Sequence, residues 1–267
     1  MKNVKIVFID LDGTLKDSNQ KISIRHMKIF KKLADNGIQV VFTTGRSLPY
    51  TMSLSKQFMT SNYIISSNGA EIYNFGNKKV LYHNFLSRDV VIKLGELMRK
   101  HNMFFIANCL LKTYTNKDFG DPGKKIVNSI DDILDENISQ LIVESYDLDT
   151  MKLFRRDMNE IPFIKISNKT KNPNETTKIL YYDVTCSDVS KGNAIRFLCD
   201  YLNIDLNDAM AIGDSDNDID MLEAVGVKVA MGNANDTLKK LSNIVTCSND
   251  EEGVAVILEK LYEEILK

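Results

Sequence analysis

The chain has 267 residues, with 34 basic and 36 acidic side chains and a formal net charge of −2. That near-neutral balance supplies no general field for nucleic acid or for an anionic membrane surface. With 43% hydrophobic residues the chain can bury a sizeable core, and its length suits one large domain or two ordinary ones. Cys109, Cys186, Cys199 and Cys247 are scattered without a CxxC pair, which argues against zinc and for reduced thiols in a cytoplasmic protein. The first apolar run is only about six residues long before Asp10 and Asp12 interrupt it, so it does not read as a signal peptide. No window approaches the ~18 apolar residues of a membrane span.

The first element is the β-branched, apolar run over residues 4–9, which reads as a strand buried on both faces. It ends in Asp10-Leu11-Asp12-Gly13-Thr14. Ile24, Met27, Phe30, Leu33 and Ala34 recur at helical spacing up to Gly37. Residues 38–42 form a second buried strand ending in Thr43-Thr44-Gly45-Arg46. A helix near 51–58 and a short strand over 63–65 follow, the strand ending in Ser66-Ser67-Asn68-Gly69-Ala70. Three strands that each end in a polar, Gly-bearing turn predict a doubly wound parallel sheet of α/β class, with these turns on one edge.

The pattern changes near residue 71. Residues 71–73 and 80–84 flank a turn and read as a hairpin. A Ser-started helix over 87–101, strands over 103–107 and 140–145, a helix over 149–159 and strands over 163–166 and 179–184 then predict an inserted α+β domain over 82–185. Polar stretches over 115–125 and 168–177 read as loops within it. The βα alternation resumes with a helix over 191–202 and a strand over 209–212 that ends in Gly213-Asp214-Ser215-Asp216-Asn217-Asp218. A helix up to Gly226, a strand over 227–231, a helix over 235–241, a strand over 244–246 and a helix over 253–266 close the chain. The core domain is therefore expected from two pieces, 1–81 and 186–267.

Two acidic clusters thus end two buried strands. One is Asp10 with Asp12, and the other is Asp214, Asp216 and Asp218. Brought together on one sheet edge, such carboxylates disfavour each other's ionisation. A hard divalent cation removes that conflict, and Mg²⁺ prefers oxygen ligands. The alternative for each cluster alone is a solvated acidic turn. An EF-hand loop fits poorly, because Ile219 and Val225 occupy its Gly and Glu positions counted from Asp214. Thr44, beside Gly45, offers a hydroxyl and backbone amides to a phosphate oxygen, although an ordinary polar turn has the same composition. Lys191 opens a helix, where the dipole disfavours a cation. A bound anion would account for it, as would a solvated surface position. His26, His83 and His101 show no ligand spacing and read as surface or helix-face residues. Arg155 and Arg156 read as a solvated helix face. Neither a P-loop nor GxGxxG occurs, so kinase and dinucleotide chemistry find no support.

Asp10-Leu11-Asp12-Gly13-Thr14 resembles the first motif of the haloacid dehalogenase (HAD) superfamily. Thr44-Gly45-Arg46, Ser66 with Asn68-Gly69-Ala70, Ser190-Lys191-Gly192, the 213–218 run and Met231-Gly232-Asn233-Ala234 are similar, in order, to the Cof-type phosphatase branch. The resemblance implies a Rossmann-like catalytic core carrying an inserted α+β cap of the second type. It implies Asp10 as nucleophile forming an aspartyl phosphate, and Asp12 as general acid and then base. Thr44, Gly45, Lys191 and Asn217 would meet the phosphate, with Arg46 and Asn68 on the substrate side. Mg²⁺ would take the Asp10 carboxylate, the Asp12 carbonyl and the Asp214 carboxylate, with Asp218 orienting a water on the metal. The expected protein is a Mg²⁺-dependent phosphatase of small phosphorylated metabolites, such as sugar phosphates or nucleotides, and a monomer or weak homodimer. A cap that opens and closes would flex near 82–86 and 185–190. A phosphomutase, or a phosphoacceptor switch without turnover, uses the same acidic residues.

Overall fold

The computed structural model describes residues 1, 3–118, 120–170 and 180–266. Among them the chain forms two compact units, one over 1–82 with 190–267 and one over 83–189.

The first unit is built on strand β1 (Ile6–Ile9), whose four side chains are all buried. Helix α1 (Ile24–Asp35) buries His26, Ile29, Phe30 and Leu33, a stripe at helical spacing. His26 is therefore a core residue and not a surface one: its Nδ1 lies 3.1 Å from the Ser23 hydroxyl, and burial holds the imidazole below its ordinary pKa. Next come β2 (Gln39–Thr43), α2 (Leu48–Gln57), β3 (Tyr63–Ser66), β4 (Glu71–Asn74) and β5 (Lys79–His83). Helix α2 starts three residues before the apolar pattern suggests, because Ser47 takes the N-cap position and Pro49 fits the first turn.

The inserted unit contains α3 (Arg88–Lys100), β6 (Phe104–Cys109), β7 (Lys112–Thr115), β8 (Lys125–Ile126), β9 (Gln140–Ser145), α4 (Leu148–Met158), β10 (Ile164–Thr170) and β11 (Leu180–Cys186). Its sheet has the order β10-β11-β9-β6-β7-β8. A separate core holds it together, with Leu94 and Met98 from α3 and Phe154 from α4 against Phe105, Leu141, Val143 and Val184 of the sheet. Two stretches read as loop are partly strand. Residue 115 closes β7, and residues 168–170 extend β10; of the remaining predicted loop, 171–177 lie outside the described residues, as does residue 179.

The chain then returns to the first unit with α5 (Lys191–Tyr201), β12 (Ala209–Gly213), α6 (Ile219–Glu223), β13 (Val227–Ala230), α7 (Asp236–Leu241), β14 (Ile244–Val245) and α8 (Gly253–Ile265). The sheet order is β14-β13-β12-β1-β2-β3-β4-β5. β1 runs parallel to both neighbours, with Phe8 opposite Ala211 of β12 and Val41 of β2. Strands β13 and β3 continue the parallel set, and β4 reverses. The predicted 71–84 hairpin is therefore part of the main sheet. All the polar strand ends from β13 to β3 face one edge, which is where such a sheet presents its functional groups.

Candidate active site

Register fixes the first pairing at the site. Ile9 stands opposite Ile212, and the Asp10 amide donates to the Ile212 carbonyl at 3.1 Å. Asp10 and the Asp214 turn are thereby side by side. Asp10, Asp214 and Asp218 each offer one oxygen, and these oxygens lie within 4.8 Å of one another. The Lys191 ammonium, 1% exposed at the start of α5, donates to Asp10 Oδ1 and to Asp218 Oδ1, both at 2.6 Å. Its position at a helix start is explained by these two carboxylates, whose pull outweighs both desolvation and the helix dipole. Burial opposes the charge on Lys191, but Asp10 and Asp218 raise its pKa above the ordinary lysine value.

The other Asp218 oxygen, Oδ2, accepts from the amides of Asp214 and Ser215 at 3.0 and 3.2 Å. Asp218 thus ties the acidic turn together and holds Lys191. Thr14 donates its hydroxyl to Asp214 Oδ1 at 2.9 Å. Gly13 has φ +89°, and a Cβ there would lie 2.4 Å from Asp214 Oδ2, so only glycine admits this approach. Burial, followed by the charges of Asp218 and Asp214, pushes the Asp10 carboxyl up to about 7 against the pull of Lys191. Burial and Asp218 push Asp214 up to about 6.

Asp12 has a different environment. Arg46 meets it in a fork, Nε to Oδ2 and Nη2 to Oδ1, each at 2.7 Å. Lys16 adds a third donor, Nζ to Oδ1 at 3.1 Å. Burial works against the charge, but the two cations win and hold the Asp12 carboxyl well below the usual range.

Thr44, Gly45 and Asn68 lie in a knot of loops at the ends of β2 and β3. The Thr44 hydroxyl accepts from the Arg46 amide at 3.2 Å, and the Asn68 amide donates to the Thr44 carbonyl at 3.0 Å. Ser67, Asn68 and Gly69 have successive positive φ values of 49°, 58° and 99°. The buried Glu71 carboxylate underpins this turn, accepting from the hydroxyls of Ser66 at 2.6 Å and Ser67 at 3.1 Å. Asn217 lies on the acidic turn and accepts from the Ser215 hydroxyl at 2.6 Å.

The structure therefore brings Asp10, Lys191, Asp214 and Asp218 into one cluster and Asp12 with Arg46 into a second contact. Lys16, Thr14 and Glu71 were not singled out by sequence. For Lys16, the available signal was its position four residues after Asp12. For Glu71 there was none, because a carboxylate at a strand start reads as solvated.

Residues 7–258 match the model of the haloacid dehalogenase-like hydrolases. The chain belongs to this family. It is 31% identical over 270 residues to a putative phosphatase of Haemophilus influenzae, covering 97% of this chain and 99% of that one. It is 29% identical to the 5-amino-6-(5-phospho-D-ribitylamino)uracil phosphatase YcsE of Bacillus subtilis, over 95% of this chain and 94% of the relative. A haloacid dehalogenase-like hydrolase from Bacteroides thetaiotaomicron has the same fold, with TM-score 0.86 at 24% identity over 97% of this chain and 99% of that chain. This HAD-like hydrolase is an enzyme of the phosphatase kind. Among its described residues no helix is long and apolar enough to cross a membrane.

Proposed function

We propose that this hydrolase cleaves phosphomonoesters of small metabolites with Mg²⁺, through a phosphoryl group carried on Asp10. The observation that supports this most is the buried Asp10 carboxylate, paired with Lys191 inside a set of three carboxylates. The donor set fits Mg²⁺: all donors are hard oxygens, and the like charges that push Asp10 and Asp214 upward are relieved by a cation. Asp10, the Asp12 carbonyl and Asp214 would hold the ion. Asp218 has both oxygens engaged by Lys191 and by two amides, which suits orientation better than direct ligation. When bound, the ion supplies charge stabilisation to the phosphoryl oxygens.

In the first step an Asp10 oxygen attacks phosphorus and the ester oxygen departs, taking a proton from Asp12. In the second, Asp12 takes a proton from the water that attacks the phosphorus of phosphoryl-Asp10, releasing phosphate and restoring the carboxylate. Lys191 offsets the charge that spreads over the phosphoryl oxygens, and Thr44, Gly45 and Asn217 supply further donors. The ionised Asp12 of the free enzyme suits the second step directly. The first needs Asp12 protonated, a state favoured when an anionic substrate enters beside it. Arg46 and Asn68 would meet the substrate. The inserted unit would choose among substrates.

The test is phosphate release from sugar phosphates, nucleotides, phosphoglycolate and 5-amino-6-(5-phospho-D-ribitylamino)uracil, the last two being named for relatives. Each is assayed with Mg²⁺ and with EDTA, beside Asp10→Asn. Metal-dependent turnover abolished in the variant is the expected result. Wild-type turnover in Asp10→Asn refutes the nucleophile. A lasting phosphoryl-Asp10 without turnover, or return of the phosphoryl group to substrate, refutes hydrolysis as the activity.

A further inference from the structure

The Asp12 carboxylate is held by two cations, and the two differ. The Lys16 side chain is 4% exposed, whereas that of Arg46 is 48% exposed. Both lie over one ring: the Lys16 ammonium is 4.8 Å and the Arg46 guanidinium carbon 5.5 Å from the Tyr50 centroid. The Lys16 backbone is also tied at both ends. Its amide donates to the Leu11 carbonyl at 2.9 Å, and its carbonyl accepts from Asn249 Nδ2 at 2.9 Å. The Asn249 amide donates to Asn233 Oδ1 at 2.9 Å, and Asn233 Nδ2 donates to the Gly13 carbonyl at 2.8 Å. Asp12 and Lys16 are themselves joined by a β-bridge. Burying an ammonium costs free energy that a surface lysine never incurs. This one is buried, and its ammonium is directed at Asp12.

We propose that Lys16 is a positioning residue for Asp12. It keeps the Asp12 side chain in one orientation through both proton transfers, so that the half-exposed Arg46 can leave Asp12 for an anionic substrate. Two holders on one carboxylate are redundant while the enzyme rests. They are not redundant once a substrate draws one of them away. The proposal rests on the acid–base role given to Asp12 above.

The test is the alcohol released in a single turnover by wild type, Lys16→Met and Asp12→Asn. Two substrates are compared, an alkyl phosphate and p-nitrophenyl phosphate. The alkyl ester needs a proton on its leaving oxygen, and the aryl ester leaves as an anion without one. Lys16→Met should slow the alkyl ester about tenfold or more, within the range that general acid catalysis supplies. Half-saturation should move by less than about twofold, and the aryl rate by less than about threefold, as for a group acting in the transition state alone. The aryl rate in the same variant reports that the site is folded. Asn249→Ala, which removes the clamp on the Lys16 carbonyl without touching the ammonium, should give the same alkyl-selective loss on a smaller scale. Equal losses on both esters, or no loss, overturn the proposal. If Asp12→Asn is itself insensitive to the leaving group, the acid role of Asp12 fails and the proposal falls with it. If Asp12→Asn is selective and Lys16→Met is not, only the role of Lys16 fails.

Discussion

Asp218→Asn is a nearly isosteric change that this geometry does not tolerate. Asp218 accepts on both oxygens: Oδ1 from the Lys191 ammonium at 2.6 Å, Oδ2 from the amides of Asp214 and Ser215 at 3.0 and 3.2 Å. An asparagine has one acceptor and one donor group. With its oxygen toward the amides, its NH₂ faces the ammonium, and rotated, its NH₂ faces two N–H groups. The first choice is the cheaper. It removes one charge-assisted hydrogen bond, worth about 1.5–3 kcal/mol, and leaves a buried donor opposed. Loss of the Asp218 charge gives some back, because that charge also pushes Asp10 and Asp214 upward. The net cost is about 2–3 kcal/mol. At roughly 2–4 °C per kcal/mol for a chain of this size, the unfolding midpoint should fall by about 5–10 °C. Thermal unfolding followed by circular dichroism in EDTA reads this without the contribution of a bound metal. A variant that melts with the wild type would show that Asp218 does not hold the turn and Lys191 together.

Three further outcomes follow from the same distances. Gly13→Ala places a methyl 2.4 Å from Asp214 Oδ2 at a φ of +89°, so with Mg²⁺ held as proposed, half-maximal activation should need about tenfold more Mg²⁺ or above, the scale for a metal ligand whose surroundings are disturbed; an unchanged Mg²⁺ titration would refute this. Native protein should react with a thiol reagent rapidly at the exposed Cys247, slowly at Cys186, where burial pushes the thiol up to about 11, and at Cys109 and Cys199 only after unfolding; fast reaction of Cys199, pushed up to about 12 by burial, would contradict the packing. In metal-free protein Asp10 and Asp214 titrate near 7 and 6 instead of their ordinary 3.8, so the native state binds more protons than the unfolded chain across that window. Their contribution to stability is full below about pH 4 and is lost as pH rises through 6 and 7. His26 and His83, lowered by burial, contribute the opposite slope, so the quantity to measure is the Mg²⁺-induced rise in melting temperature. That rise should be larger at pH 7.5 than at pH 5, because the ion competes with those protons; a larger rise at pH 5 would reverse the sign and defeat the argument.

The parallel sheet and its loaded edge were legible because burial and chemistry change at the same residue. β1 is apolar through Ile9 and acidic at Asp10, and β12 repeats this at Gly213 and Asp214. β7 was not legible. Of Lys112 to Thr115 only Thr115 falls in a predicted element, a loop, and it is pairing with β6 and β8 that makes these residues a strand. The 71–84 hairpin was legible because its turn is local, whereas the pairing of β4 with β3 is set by the sheet and was not. Lys16 illustrates the limit at the site. A lysine between Leu15 and Asp17 is indistinguishable from a solvated one until Tyr50, more than thirty residues away, comes to lie beside it.

The charges divide the edge of the sheet into two regions of opposite sign. Asp10, Asp214 and Asp218 set three carboxylates against one ammonium, Lys191, and leave two negative charges when all are ionised. That is the charge one divalent cation balances. Asp12 sets one carboxylate against Lys16 and Arg46 and leaves one positive charge. A phosphate ester brings negative charge on its phosphoryl oxygens, and the acid role proposed for Asp12 would place the leaving group where such charge is welcome. The adjacent carboxylates Asp10 and Asp12, two residues apart in sequence, are thus given opposite environments: Asp10 is pushed up by burial and carboxylates, and Asp12 is held down by cations. In the proposed mechanism, separated pKa values of this kind would let one carboxylate attack while the other moves protons.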